Sequence, residues 1–238
     1  MNKLFTTLSA LAVASVTAYA FAQAPAASAP KAAQPAAAAS ALKAAAAPAS
    51  PKSMEAKIAM CIGCHGIKGY QSSFPEIHKV PMISGQSAKY IVSALNAYKN
   101  GDRKHPTMRG IAASLTDQDM TDIANFYAAQ ATKAPESQPA PQGKVAELFT
   151  KGNCVACHGK NLSTPIDPSY PKIGGQHADY MFVALKAYKT ENNPAIGRNN
   201  GVMGAIAKQF TNAELKALAN YAASLEGEMT VHPEPRFR

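Results

Sequence analysis

Tryptophan is absent from the 238 residues, aromatic side chains amount to 7% and charged ones to only 16%. A large aromatic-rich core is therefore excluded. The 47% of hydrophobic residues is inflated by alanine, much of it in one low-complexity run. Beyond the N-terminus no apolar run is long enough to span a bilayer, which excludes a multi-pass membrane protein. Acidic residues are in deficit, 15 against 24 Lys and Arg, for a net charge of +9. That excess is spread thinly: residues 53–131 hold eight basic and six acidic side chains, and residues 140–238 eleven and eight. Neither segment makes a basic nucleic-acid surface, and no nucleic-acid partner is expected. A mass of 24.9 kDa suggests one or two domains.

Lys3 precedes an apolar stretch, Leu4 to Ala20, diluted by Thr and Ser, and Ala18-Tyr19-Ala20 and Ala20-Phe21-Ala22 are candidate cleavage sites. Residues 1–22 are expected to be a secretory signal peptide, with export to the periplasm. The alternative is an uncleaved anchor, against which the shortness of the segment and its hydroxyl content argue. Residues 23–52 are almost entirely Ala, Pro, Ser and Gln. Proline interrupts any alanine helix and bulky apolar side chains are scarce, so this stretch reads as a disordered tether.

The rest of the chain repeats itself. Cys61-Ile62-Gly63-Cys64-His65-Gly66 matches Cys154-Val155-Ala156-Cys157-His158-Gly159 at an offset of 93. Pro81-x-x-x-Gly85-Gln86-x-x-x-Tyr90 matches Pro171-x-x-x-Gly175-Gln176-x-x-x-Tyr180 at an offset of 90, as Ala94-Leu95-x-Ala97-Tyr98-Lys99 matches Ala184-Leu185-x-Ala187-Tyr188-Lys189. Arg103 and Met108 match Arg198 and Met203 at 95. Such small drift means tandem duplication with loop insertions. The expected modules are residues 53–131 and 143–226, joined by a proline-rich linker at 132–142 and followed by a tail at 227–238.

Periodicity within each module is helical, and the expected fold class is all-α. Short helices lead into the first cysteines, over Glu55 to Met60 and Val145 to Thr150. Middle helices run from about Ser87 to Tyr98 and from His177 to Tyr188. Last helices start at Thr116-x-x-Asp119 and Thr211-x-x-Glu214, each Thr followed by an acid three residues on. At about 80 residues apiece, with so much alanine, these modules need something bulky and apolar to complete their cores.

All four cysteines lie in Cys-x-x-Cys-His motifs. A zinc site needs its two pairs within about 20 residues, and here about 90 separate them. A thioredoxin-like pair needs a βαβ context, and a disulfide makes no use of the adjoining His. Covalent attachment of c-type haem uses every part: two thiols add to the porphyrin vinyl groups and the next residue reaches the iron. Two haem c groups are expected, on Cys61 and Cys64 with His65, and on Cys154 and Cys157 with His158. The macrocycle then supplies the missing core.

Of nine methionines only Met108 and Met203 coincide between the repeats, 43 and 45 residues after their His. They are the candidate sixth ligands, each expected in a loop ahead of the last helix, with core filling as the alternative role. His78, His105 and His177 have no partner in the other repeat and read as surface or loop residues. His105 is the rival to Met108 as ligand.

The order Cys-x-x-Cys-His-Gly, Pro-x-x-x-Gly-Gln, Tyr-Lys, Met, then Leu115-Thr116-Asp117-x-Asp119 resembles class I cytochrome c. In its duplicated form it resembles the diheme cytochrome c4 family, over residues 53–225. The resemblance implies two class I cytochrome c domains related by pseudo-twofold symmetry, with haem propionates near their interface. It implies a respiratory electron carrier rather than an enzyme, working between the quinol-oxidising bc complex and a terminal oxidase and held loosely at the inner membrane. By the same resemblance the carbonyls of Pro81 and Pro171 accept a hydrogen bond from Nδ1 of His65 and His158. Tyr98, Tyr188, Arg103 and Arg198 are candidates for propionate contacts, with a core Tyr and a solvated Arg as the alternative. Two other functions are open: a cytochrome subunit that accepts electrons from a periplasmic dehydrogenase, and a diheme peroxidase, which needs one displaceable ligand.

Overall fold

The computed structural model describes residues 52–233. The expected signal peptide, all of the expected tether but its last residue, and residues 234–238 lie outside the described residues. The first module contains α1 (Met54–His65), α2 (Ala88–Asn100), α3 (Pro106–Ala113) and α4 (Asp117–Ala128), with two-residue strands β1 (Gln71–Ser72), β2 (His78–Lys79) and β3 (Arg103–Lys104). The second contains α5 (Gly143–Gly152), α6 (Val155–His158), α7 (Ala178–Ala187), α8 (Gly201–Ala207) and α9 (Asn212–Ser224), with β4 (Gly197–Arg198). Among the described residues no helix is long and apolar enough to cross a membrane.

The last helices begin where their threonines predict. Thr116 and Thr211 both close complete capping boxes, with Asp119 and Glu214 as the reciprocating acids. Two backbone donors are thereby satisfied at each helix start. Each last helix packs on the middle helix of its own module, α4 on α2 and α9 on α7. Met120 and Leu215 occupy equivalent positions and are both fully buried. Each such side chain contributes roughly 1.5–3 kcal/mol of burial. The first core gathers Ile58, Ile62, Ile91, Leu95, Leu115 and Ile123 around Met120; the second gathers Leu148, Phe149, Met181, Phe210 and Leu218 around Leu215.

The duplication is imperfect at the entry to the cysteines. In the first module one helix runs unbroken from Met54 through His65. In the second it stops at Asn153, which takes a left-handed conformation with φ 46° before a new turn carries Cys157 and His158. Asn tolerates that conformation, whereas Met60, the residue at the same place in the first repeat, is better suited to continue the helix.

Three sequence expectations need correction. Met108 and Met203 lie in helices, α3 and α8, rather than loops. His78 is buried, on β2 of a small hairpin in which Ser72 pairs with His78, and is no surface residue. Residues 227–231, read as part of a tail, pack between the modules: Thr230 bridges Ser84, and Thr132 N–H donates to the Glu228 carbonyl at 3.0 Å. The linker at 132–142 contains no helix and lies against the second module, where Tyr221 Oη donates to the Pro139 carbonyl at 2.7 Å.

Candidate functional site

A cavity of about 610 Å³ is bordered by both modules. All the residues singled out from the sequence line it: Cys61, Cys64, His65 and Met108 with Pro81, Tyr98 and Arg103, and Cys154, Cys157, His158 and Met203 with Pro171, Tyr188 and Arg198. Its walls are otherwise largely apolar, with Ile91, Leu95 and Ile123 on one side and Met181, Leu185 and Leu218 on the other.

Each Cys-x-x-Cys-His places its histidine at the end of a helix turn. His65 Nδ1 lies 2.8 Å from the Pro81 carbonyl, and His158 Nδ1 lies 2.9 Å from that of Pro171. A carbonyl can only accept, so both rings carry the proton on Nδ1 and keep Nε2 free for a metal. Burial is the main influence on both rings and holds their pKa values below the ordinary imidazole value, favouring the neutral, ligating form. Burial likewise pushes the Cys61 and Cys154 thiols up to about 11.

The methionines are presented alike. His105 is the N-cap of α3, its Nδ1 accepting from Met108 N–H at 3.5 Å, and Asn200 is the N-cap of α8, its Oδ1 accepting from Met203 N–H at 2.9 Å. His105 therefore has a repeat partner after all, in function though not in residue type. A ring that caps the helix carrying Met108 leaves the methionine as the better candidate. Pro106 at the start of α3 was the available signal for this helix.

The two modules meet at the strand pair β3–β4, which sets Arg103 opposite Arg198. Like charges in that register repel unless something lies between them. Tyr180 provides it: its hydroxyl accepts from Arg103 Nη2 at 2.6 Å and from Arg198 Nη2 at 3.0 Å. Tyr90, its counterpart in the first repeat, accepts only from Arg103 Nη1, at 3.1 Å. Burial pushes the Tyr180 phenol up, but the two guanidiniums outweigh burial and bring it down to about 8. For Tyr90 burial prevails and the phenol is pushed up. The arginines also stack on the tyrosines named from the sequence, Arg103 at 4.7 Å from the Tyr98 ring and Arg198 at 5.4 Å from that of Tyr188. Neither arginine is a solvated side chain, and Arg103 Nε is buried without a hydrogen-bond partner. Tyr90 and Tyr180 were visible in the sequence as a repeated pair at the start of the middle helices, but nothing there tied them to the arginines.

Residues 54–129 and 143–226 each match the family model described as cytochrome c. The cytochrome c4 of Thiocapsa roseopersicina is 31% identical over 183 residues, covering 72% of this chain and 90% of that one. The chain belongs to the diheme cytochrome c4 family. A thiosulfate dehydrogenase electron acceptor from Stutzerimonas stutzeri strain A1501 is 30% identical, covering 69% of this chain and 78% of that one. The solved cytochrome c4 of Acidithiobacillus ferrooxidans superposes with a TM-score of 0.55 at 28% identity, covering 71% of this chain and 99% of that one.

As a cytochrome c4 the chain carries two covalent haem c groups, and the residues present fit them. Four thiols, two Nε2 atoms and apolar walls border one cavity, and the buried Arg103 Nε–H lacks the acceptor that a propionate carboxylate would provide. Among the described residues no cluster of three or more His, Cys, Asp or Glu is assembled to hold a bare metal ion.

Proposed function

We propose that this diheme cytochrome is a periplasmic respiratory carrier that takes electrons from a quinol-oxidising bc complex and delivers them to a terminal oxidase, and is not itself an enzyme. The observation that carries the reading is the matched pair of His and Met candidates, one pair from each module, on a single interdomain cavity. Cys61 and Cys64 would hold one haem, with His65 and Met108 as the ligands offered to its iron, and Cys154 and Cys157 would hold the other, with His158 and Met203. When bound, each haem supplies a one-electron iron couple. The protein fixes the imidazoles through the Pro81 and Pro171 carbonyls, holds the thioethers on capped helices, and lines the sites with apolar groups that keep water out. Arg103, Arg198, Tyr98 and Tyr188, which line the same cavity, would hold the propionates. With a His and a Met candidate for each iron, no coordination position would be left open, which disfavours a peroxidase. Periplasmic location is supported by the leader pattern of residues 1–22, and peripheral contact with the inner membrane goes with the bc complex as donor.

The likeness to a thiosulfate dehydrogenase electron acceptor favours one second reading, a cytochrome that accepts electrons from a periplasmic dehydrogenase. Optical redox titration should give two low-spin haems per chain with a sulfur-to-iron charge-transfer band in the ferric state. Met108→Ala and Met203→Ala should each remove about half of that band and open one haem to carbon monoxide. A band that survives Met108→Ala but is lost on His105→Ala would overturn the ligand assignment. Reduction by a dehydrogenase but not by bc complex with quinol would select the second reading.

A further inference from the structure

The repeated Gly-Gln pair has a role that crosses between the modules. Gln86, in the first module, reaches the second: its Oε1 accepts from Lys172 N–H at 3.0 Å and its Nε2 donates to the Lys172 carbonyl at 2.9 Å. Gln176 returns the contact, accepting from Met82 N–H at 3.0 Å and donating to the Met82 carbonyl at 2.9 Å. Both glutamines are buried, and their Nε2 groups also converge on Met229 Sδ, at 3.3 and 3.6 Å.

Lys172 N–H and the Pro171 carbonyl belong to one peptide group, as do Met82 N–H and the Pro81 carbonyl. Two unbroken chains result. One runs His158 Nδ1–H to Pro171 C=O, through the peptide to Lys172 N–H, and on to Gln86 Oε1. The other runs His65 Nδ1–H to Pro81 C=O, Met82 N–H and Gln176 Oε1. An acceptor on a peptide N–H draws density onto its carbonyl oxygen, because the C–N bond is conjugated and hydrogen bonds in series polarise one another. A stronger carbonyl acceptor gives the imidazole more anionic character and makes it a better donor to ferric iron.

We propose that Gln86 and Gln176 are positioning residues that tune the haem potentials crosswise, each glutamine setting the axial histidine of the other module. Gln86 lowers the potential of the C-terminal haem, and Gln176 that of the N-terminal haem. The two modules are thus coupled through the peptide groups that orient their ligands, and a module that shifted away from its neighbour would raise the neighbour's potential. This rests on His65 and His158 being the axial ligands.

The test is redox titration of the haem-loaded full chain, read by NMR so that each haem's methyl resonances report separately. Gln86→Met keeps the shape and loses the acceptor; it should raise the potential of the C-terminal haem and shift the His158 Nδ1 proton, leaving the N-terminal haem in place. Gln176→Met should do the mirror image. Met229→Leu removes the sulfur both glutamines share while sparing both Oε1 acceptors, and should leave both potentials near wild type. Shifts in the haem of the variant's own module, equal shifts in both, or none would overturn the proposal. So would Met229→Leu moving both potentials as the glutamine variants do, since general loosening would then account for them. A glutamine variant that loses haem also counts against it, because weakening one bond in the chain leaves ligation intact. Failure of the ligand reading is distinct: reduced wild-type protein would then lack resonances for two iron-bound imidazoles.

Discussion

Replacing Tyr180 by Phe tests the interface where the two repeats differ most. The hydroxyl of Tyr180 accepts from two buried guanidiniums, that of Tyr90 from one. A hydrogen bond to a charged donor is worth about 1.5–3 kcal/mol, and its loss leaves the donor stranded. Tyr180→Phe should therefore cost about 3–6 kcal/mol and Tyr90→Phe about half as much. In a unit of this size 1 kcal/mol moves the melting temperature by about 2–4 °C, so Tyr180→Phe should lower it by at least about 6 °C. Thermal unfolding of the haem-loaded protein, followed by far-ultraviolet circular dichroism near pH 7, measures both. The pH profile adds a second reading. The folded phenol sits at about 8, below its ordinary value of 10, so between these limits the unfolded chain binds more protons and stability rises with pH. That contribution is absent below about pH 8 and complete above about pH 10. Tyr180→Phe should abolish the rise, and Tyr90→Phe should not. Equal losses from the two variants, or an unchanged pH profile in Tyr180→Phe, would refute the reasoning.

Met120→Ala and Leu215→Ala, at equivalent and fully buried positions, should each cost about 2–5 kcal/mol, read from denaturant midpoints; a loss below about 1 kcal/mol would mean that the cores are loosely filled. Gly85 holds φ 86°, and a Cβ there would stand 2.2 Å from the Glu228 carbonyl oxygen. Gly85→Ala should thus dislodge the C-terminal segment and speed hydrogen exchange at the Thr230 amide, which donates to the Ser84 carbonyl at 3.0 Å. Gly69→Ala, at φ 77° but with open space around the Cβ, should cost only the backbone strain of about 1 kcal/mol and leave that exchange unchanged.

What the sequence made legible was whatever repeats within one module. The middle helices were readable from their apolar stripes, the last helices from Thr-x-x-acid, and the cavity-lining cysteines and histidines from spacing alone. Two kinds of feature escaped. Short elements leave little periodicity: α3 and α8 have eight and seven residues, and β2, which carries the buried His78, has two. Contacts between the modules leave none. Gln86 and Gln176 were visible as a repeated pair, but nothing in a repeat says that its members act on each other's module. Met229 has no counterpart in the first repeat and lies past the last helix, so only packing identifies it as the residue shared by both glutamines.

Duplication gives two sites the same candidate ligands, and a carrier with two identical sites would have no preferred direction for an electron. The interface keeps that symmetry in one feature and departs from it in another. The glutamine chains are reciprocal, with N–H to Oε1 distances of 3.0 Å both ways, so they couple the sites without distinguishing them. Tyr180 takes a guanidinium from each module where Tyr90 takes one, and Arg103 Nε is buried without a hydrogen-bond partner. One observed difference between the two sites thus lies at the Tyr–Arg cluster between the modules and not in the candidate ligands, which are the same.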